Sequence, residues 1–266
     1  MRILLLLTVA SFLFWCCSEK NDIKPNPETI IFPKIEVIQG TYLFSKEEHA
    51  ASSRVSGGYA AFKYIDDKPS KRIGGFFSMS SSSGYSGFYT SDIYDTVQYS
   101  MNDNITVLSK DNIDGADIYP SKREFTVEGG LIVKKITYDE VATRHDNDTM
   151  HYFYNAEKML IKTEQHFKYN IITRDYFYNG TNNLQKISGN KRSRIDGATF
   201  STSEELFGGY DNKANPLKGQ TLWQDLLYRT LSKNNFTTYT YKSGSDTETR
   251  NWALKYDSNG NVDFSK

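Results

Sequence analysis

One pattern recurs along the second half of this chain and restricts what it can fold into. A tyrosine is followed by Asn or Asp, then by a polar turn, then by an apolar residue or proline. It occurs at Tyr154–Leu160 (YNAEKML), Tyr178–Leu184 (YNGTNNL), Tyr210–Pro216 (YDNKANP) and Tyr256–Val262 (YDSNGNV). Tyr99–Ile105 (YSMNDNI) matches at all but the second position, and Tyr138 with Asp139 begins a looser copy. Asn155, Asn179, Asp211 and Asp257 can each accept a hydrogen bond from the backbone two residues on, which starts a turn. Gly180 and Gly260 tolerate positive φ, and Asn183, Asn215 and Asn261 tolerate it better than most residues. The tyrosine then ends one strand and the apolar residue opens the next, so each unit predicts a β-hairpin.

Alternation supports strands on either side. Tyr152 with Tyr154, Tyr176 with Tyr178 and Tyr239 with Tyr241 stand two apart, so each pair shares one face of its strand. Aligned across neighbouring strands they form aromatic rows, each cross-strand pair contributing roughly 0.2–1 kcal/mol. Nineteen Tyr and sixteen Phe add β-forming material. The fold expected is all-β: an antiparallel meander of repeated hairpins. One short amphipathic helix is expected near 220–232, where Leu222, Trp223, Leu226, Leu227 and Leu231 make a stripe. Thr221 is its expected cap, with Asp225 near the positive end of the helix dipole. Val127–Leu131 reads as a further hairpin turn, and the Ser/Gly-rich stretch 78–86 as a loop. The units are unevenly spaced, so no strict solenoid is expected.

These tyrosine–aspartate turn units resemble YD repeats, known from Rhs-type shells and from repeat lipoproteins of unknown function. Residues 210–217, a short helix, Asn234-Asn235 and the last unit look most like the latter. The regular short period and the arginine–glycine flanks of Rhs shells are lacking. The resemblance implies a surface-attached β-repeat body and says almost nothing of its activity.

The amino terminus supplies an address. Arg2 precedes a mainly apolar run without charges, Ile3–Trp15, and Cys16-Cys17 follow. Thirteen residues, apolar except for Thr8 and Ser11, suit a signal peptide, whereas a membrane-crossing helix needs about 20. The arrangement resembles bacterial lipoprotein leaders, whose peptidase wants a small residue before the acylated cysteine. Cys17 meets this, because Cys16 precedes it; Cys16 itself would follow Trp15. Lipidation is therefore assigned to Cys17, with residues 1–17 as leader. Residues 18–34 hold three of the six prolines and read as a flexible tether. Ser18–Asp22 resembles the charged tags of surface-exported lipoproteins in some Gram-negative bacteria. The location expected is the outer membrane, lipid-anchored and facing outward. Residues 35–266 form the β-repeat body, with a sub-boundary expected near 125.

Composition narrows the chemistry. Thirty-two basic residues balance thirty-two acidic ones, so no positive field exists to hold nucleic acid. Both cysteines lie at the leader junction, which leaves the body without a disulfide or thiolate. His145, Asp146, Asn147, Asp148 and His151 are the densest set of possible metal ligands, but they fall at an expected hairpin tip that accounts for them. Asp111–Asp117 lacks the spacing of a calcium loop, and Lys191–Arg194 reads as a solvated basic loop. Asp95-Thr96-Val97 and Asp148-Thr149-Met150 match a short O-glycosylation pattern at the level of chance. Glu204 and Glu205 are adjacent, so on one strand they point to opposite faces. No nucleophile elbow, phosphate loop or zinc-protease helix is present, and no metal or cofactor is expected.

The leading functional expectation is a non-enzymatic surface protein binding a glycan or an envelope protein partner. Its candidate ligand-contact aromatics are Tyr152, Tyr154, Tyr176 and Tyr178, most of which fit the core better. The alternative is a surface hydrolase acting on polysaccharide or peptide through carboxylates brought together from distant strands. An envelope scaffold with no ligand of its own is the third.

Overall fold

The computed structural model describes residues 32–43, 52–53, 58–81, 84–100, 104–111, 117–138 and 147–266. Fifteen strands fall in these residues, and fourteen follow one another as a single path. They are β1 (Val37–Gln39), β2 (Ser52–Ser53), β3 (Tyr59–Ile65), β4 (Lys68–Ser81), β5 (Gly84–Tyr99), β6 (Ile105–Asp111), β7 (Asp117–Glu128) and β8 (Leu131–Tyr138). There follow β9 (Asp148–Tyr154), β10 (Leu160–His166), β11 (Asn170–Tyr178), β12 (Leu184–Ser193), β13 (Thr199–Gly208), β14 (Thr238–Ser243) and β15 (Asp246–Asn251). Apart from β2, which lies parallel to β5, each strand pairs antiparallel with the next. This is the all-β meander expected from the turn units.

Side-chain alternation sets the two faces. In β6, Ile105, Val107 and Ser109 are buried while Thr106, Leu108 and Lys110 are not. Register carries that phase across the sheet, pairing Val107 with Arg123 and Thr163 with both Tyr152 and Arg174. A slip of one residue would turn every buried side chain outward. Glu204 and Glu205 show the rule: Glu204 meets Lys186 on the outer face, and Glu205 accepts the Tyr239 hydroxyl within.

The sheet is rolled, and one segment proves it. Between β13 and β14 the chain crosses the inner face through Leu217, Leu222, Trp223, Leu226 and Phe236, all fully buried. Asp225 on this segment bonds Arg72 of β4 at 2.7 Å. Tyr228, three residues on, packs against Tyr239 of β14 with ring centroids 6.4 Å apart. In a flat sheet ten strand spacings of about 4.8 Å would hold β4 and β14 roughly 48 Å apart. One short turn touches both because the sheet curls around it. The two ends of the path meet through the carboxyl-terminal tail, where Gln39 N donates to Phe264 O at 2.8 Å and Trp252 Nε1 to Thr41 O at 2.7 Å.

The helix within this segment is shorter than its stripe suggested. Helical geometry covers a 3-10 turn, Gln224–Leu226, and a single α turn, α1 (Leu227–Thr230). Thr221 does not cap it: Trp223 occupies that position, with no side-chain cap bond. Burial explains the shortening, since the segment must present Trp223, Asp225 and Arg229 to different walls rather than one stripe to one sheet.

Three further expectations need correction. The 78–86 stretch is strand on both sides of residues 82–83, with Ser78 opposite Gly87 and Ser81 opposite Gly84. A ladder already running from Ile73 and Tyr94 continues through it, because its bonds come from backbone rather than side chains. Lys191, Arg192 and Ser193 likewise belong to β12, not to a loop. Phe125 lies inside β7, opposite Ile105 of β6 and Lys135 of β8. At the amino end Phe32 is buried in the core, so the last residues of the 18–34 stretch belong to the folded body. Cys17 and the leader lie outside the described residues. Val127–Leu131 is a hairpin turn as expected.

Candidate functional site

Three of the four full turn units share one hydrogen-bond pattern. Asn155 N donates to Met159 O, Lys158 N to Asn155 O, and Met159 N to Asn155 Oδ1. The same three bonds recur at Asn179, Asn182 and Asn183, and again at Asp257, Gly260 and Asn261. This is a type I turn closed by a left-handed residue, which forms a bulge. The left-handed residue is the fifth of each unit: Lys158 (φ 59°), Asn182 (φ 61°) and Gly260 (φ 76°). Gly260 was expected there; Gly180, Asn183, Asn215 and Asn261 are not left-handed. The side chain of Asn183 instead reaches the returning segment, with Nδ2 donating to Asn234 Oδ1.

The Tyr210 unit departs from the hairpin. Asp211 and Asn215 bond to Asn235 and to the Arg229 and Ser232 carbonyls, which launches the crossing segment and receives it back. The last unit closes on a single bridge, Tyr256 to Val262, rather than on full strands.

The unit tyrosines act as latches between neighbouring hairpins. Tyr154 donates to Ile132 O at 2.8 Å, Tyr178 to Leu160 O at 2.9 Å and Tyr99 to Pro69 O at 2.9 Å. Tyr210 donates likewise to Leu184 O. In each case the acceptor lies in the first two residues of the preceding return strand. Burial, followed by neighbouring phenols, holds the Tyr154 and Tyr178 hydroxyls well above the ordinary tyrosine value. Burial lifts Tyr210 to about 12.

Of the four candidate aromatics, Tyr152 and Tyr176 are core, each only 6% exposed. Their position two residues inside the strand places them beneath the crossing segment. Tyr154 and Tyr178, at the rim, border a groove of about 310 Å³ between the first two turn units and that segment. Leu160 and Leu231 line it with them, while Glu157, Lys158 and Lys218 add charge. The groove thus offers apolar walls and a few polar groups, the usual make-up of a binding site. A second, more open cleft of about 720 Å³ lies where the path's ends meet, between Thr41, Tyr42, Trp252 and β15.

A buried ion cluster escaped the sequence. Arg72 Nε donates to Asp95 Oδ2 at 2.9 Å, and its Nη1 bonds both carboxylate oxygens of Asp225. Arg123 reaches Asp95 at 2.7 Å, Ser109 donates to it, and Tyr89 donates to Asp225. Burial opposes the charge on Asp95, but Arg123, Arg72 and the Ser109 hydroxyl outweigh it and depress its pKa. The cluster nails the crossing segment to β4 and β5. It also gives Asp95 a structural role between β4, β6 and β7. The available signal was phase: Arg72, Asp95 and Arg123 stand at inward positions beside Phe62, Val97 and Phe125. Likewise Asp225 interrupts an apolar stripe.

His145 and Asp146 of the histidine cluster, and residues 112–116, lie outside the described residues. His151 is on the outer face of β9, stacked edge-on against His166 at 5.7 Å. No cluster of three or more metal-ligating side chains exists among the described residues.

No protein-family model matches this chain, and no curated protein matches it. Solved structures do resemble it. A porin-like protein from Bacteroides vulgatus superposes with a TM-score of 0.50 at 11% identity, over 77% of this chain and 86% of that one. A porin-like protein from Bacteroides uniformis gives a TM-score of 0.48 at 13% identity, over 89% of each chain. The first likeness establishes a shared fold, a β-rich meander, and nothing of the activity. The outer face carries its own information. Lys122 with Glu124 and Lys162 with Glu164 pair along their strands on that face, and Lys186 pairs with Glu204 across β12 and β13. A barrel facing lipid presents an apolar band there, and each Lys at mid-bilayer would cost about 2–4 kcal/mol. On the same face the exposed rings of Phe153 and Phe177 lie beside Lys162 and Lys186.

Proposed function

We propose that this chain is a lipid-anchored outer-membrane protein of the tyrosine–aspartate repeat kind, with its folded body in water. Its groove at Tyr154 and Tyr178 binds a glycan or a partner protein from outside the cell, without catalysis. The observation that carries this reading is the groove itself, two tyrosine rings held by latched hydroxyls beside exposed charged side chains. Locked aromatic rings can stack on a sugar face or an apolar side chain at little entropic cost. The fold shared with a porin-like protein supports an envelope location. The charged outer face supports attachment through acylated Cys17 rather than through spanning strands. Glu204 and Glu205 face opposite sides of β13.

Glycan and envelope-protein panels test the reading, probed with the full chain and with Lys218→Trp. Lys218 is exposed on the groove rim, so the indole fills the groove without entering the core. Saturable retention on one class of ligand, lost in the variant, is expected. Flat binding across both panels would overturn the proposal.

A further inference from the structure

At the end of β12 opposite the turn units, two hairpin tips lie side by side: residues 167–169 between β10 and β11, and residues 194–198 between β12 and β13. Arg194 N donates to Tyr169 O and Arg194 Nη1 to Phe167 O, each at 2.9 Å, which joins the tips. The second tip is also braced from within. Ile195 N donates to Ser193 Oγ at 3.1 Å, Ala198 N donates to Asp196 Oδ1 at 3.1 Å, and Gly197 turns the chain at φ 75°. This braced tip holds Ile195 out at 84% exposure, with Phe200 and Tyr169 at 60% each beside it. Single apolar residues on a surface are ordinary, but three on two joined tips make a patch. Charge is equally uneven there. Residues 167–170 and 191–200 hold Lys168, Lys191, Arg192 and Arg194 against Asp196 alone, in a chain whose charges balance. Arg192 and Arg194 are both exposed, and so are Gly244 and Ser245 of the neighbouring β14–β15 turn.

We infer that these two tips dock on a bilayer surface of anionic phospholipid. Ile195, Phe200 and Tyr169 enter the headgroup layer, and Arg192 and Arg194 meet the phosphates. Two observations select this occupant. The apolar side chains project from turns and line no hollow, so a soluble partner would need a fitted pocket for each. The boundary between headgroups and acyl chains closes around any of them, and apolar chains flanked by cations are what it holds best. The basic excess matches the negative potential of an anionic leaflet, where each Lys or Arg near the surface raises affinity about 5-fold. The contact is shallow. Lys186 lies seven residues before Ser193 on β12, roughly 23 Å up the strand by its rise, and stays in water. This surface is separate from the groove at Tyr154 and Tyr178, which lies at the other end of the same strands.

A fluorophore at the tip tests the docking. The full chain carrying Ala198→Cys, labelled with an environment-sensitive dye, is bound to vesicles of phosphatidylglycerol or of phosphatidylcholine. The unsubstituted chain is the blank for Cys16 and Cys17. Ala198 is exposed, and the readout is local, so it does not depend on what else holds the chain to the vesicle. Blue-shifted emission, quenched by a headgroup-level quencher, is expected on phosphatidylglycerol, and water-like emission on phosphatidylcholine. The same dye at Lys186→Cys is expected to report water on both. Ile195→Asp is expected to abolish the shift, as is Arg192→Gln combined with Arg194→Gln. Arg192→Lys combined with Arg194→Lys keeps the charge and is expected to keep the shift. Water-like emission from position 198 on phosphatidylglycerol would overturn the inference. So would an equal shift on phosphatidylcholine, a shift at Lys186 as well, or a shift that survives loss of both arginines. Loss of the shift in the lysine variant would contradict it too, as would an equal shift with soluble polyglutamate or an acidic polysaccharide in place of vesicles.

Discussion

Tyr178 donates its hydroxyl to the carbonyl oxygen of Leu160, 2.9 Å away, and so ties the hairpin it closes to the return strand of the one before. Tyr154 does the same toward Ile132. Tyr99, Tyr154, Tyr178 and Tyr210 thus have two roles: the ring packs against the core and the hydroxyl ties its hairpin to the one before.

Removing one latch tests this. Tyr178→Phe keeps the ring and deletes the bond, and is expected to lower stability by about 1 kcal/mol. The exposed Tyr256 bonds the half-buried Asp211 carboxylate, so Tyr256→Phe is expected to change stability by less than about 0.5 kcal/mol. Urea unfolding curves separate the two. Equal effects would contradict the latch.

The left-handed fifth position predicts opposite signs at two units. An ordinary side chain there costs about 1 kcal/mol or more. Lys158→Gly is expected to raise stability by roughly 0.5 kcal/mol after glycine's larger entropy loss. Gly260→Ala is expected to lower it by about 1 kcal/mol. Shifts in the urea midpoint, at unchanged slope, are the readout.

The Arg72–Asp95–Asp225 cluster predicts acid sensitivity. The folded-state pKa of Asp95 lies below its ordinary 3.8, so the folded state holds the unprotonated form more tightly than the unfolded chain does. That stability is fully present above the ordinary value and disappears as pH falls through the depressed one. Asp95→Asn is expected to cost about 3–5 kcal/mol at neutral pH, because it leaves Arg72 and Arg123 buried beside a neutral group. The variant is also expected to flatten the stability profile below pH 4. An unchanged acid limb would contradict the assignment.

Alkali should loosen the latches. Tyr210 is raised to about 12, above its value in the unfolded chain. Its contribution is therefore intact below pH 10 and lost as pH rises toward 12. Absorbance at 295 nm is expected to show exposed tyrosines ionising first and the latched ones only as the protein unfolds.

Much of this fold was legible because the turn unit is local. Asn155, Asn179 and Asp257 make their turn from bonds within five residues, and the tyrosines two apart report strand phase directly. The left-handed position was misjudged at Asn183 because Asn182 beside it is chemically the same, and only the register chooses between them. The rolled shape could not be read, since it depends on Asp225 meeting Arg72, 153 positions apart. The candidate site was half legible. Tyr152 and Tyr154 share a face, but which of them lies under the crossing segment depends on where that segment runs. His151 could be seen, whereas its neighbour His166 arrives only through the pairing of β9 with β10.

The proposed arrangement is a water-facing β body hung from the outer membrane by lipid. Lys186 on the outer face of β12 measures it most directly. The full chain carrying Lys186→Cys, labelled with an environment-sensitive fluorophore, is reconstituted into bilayers containing a lipid-borne quencher. Emission typical of water and unaffected by the quencher is the expected result. A blue-shifted emission quenched from within the bilayer would show strands that face lipid, and would contradict the account.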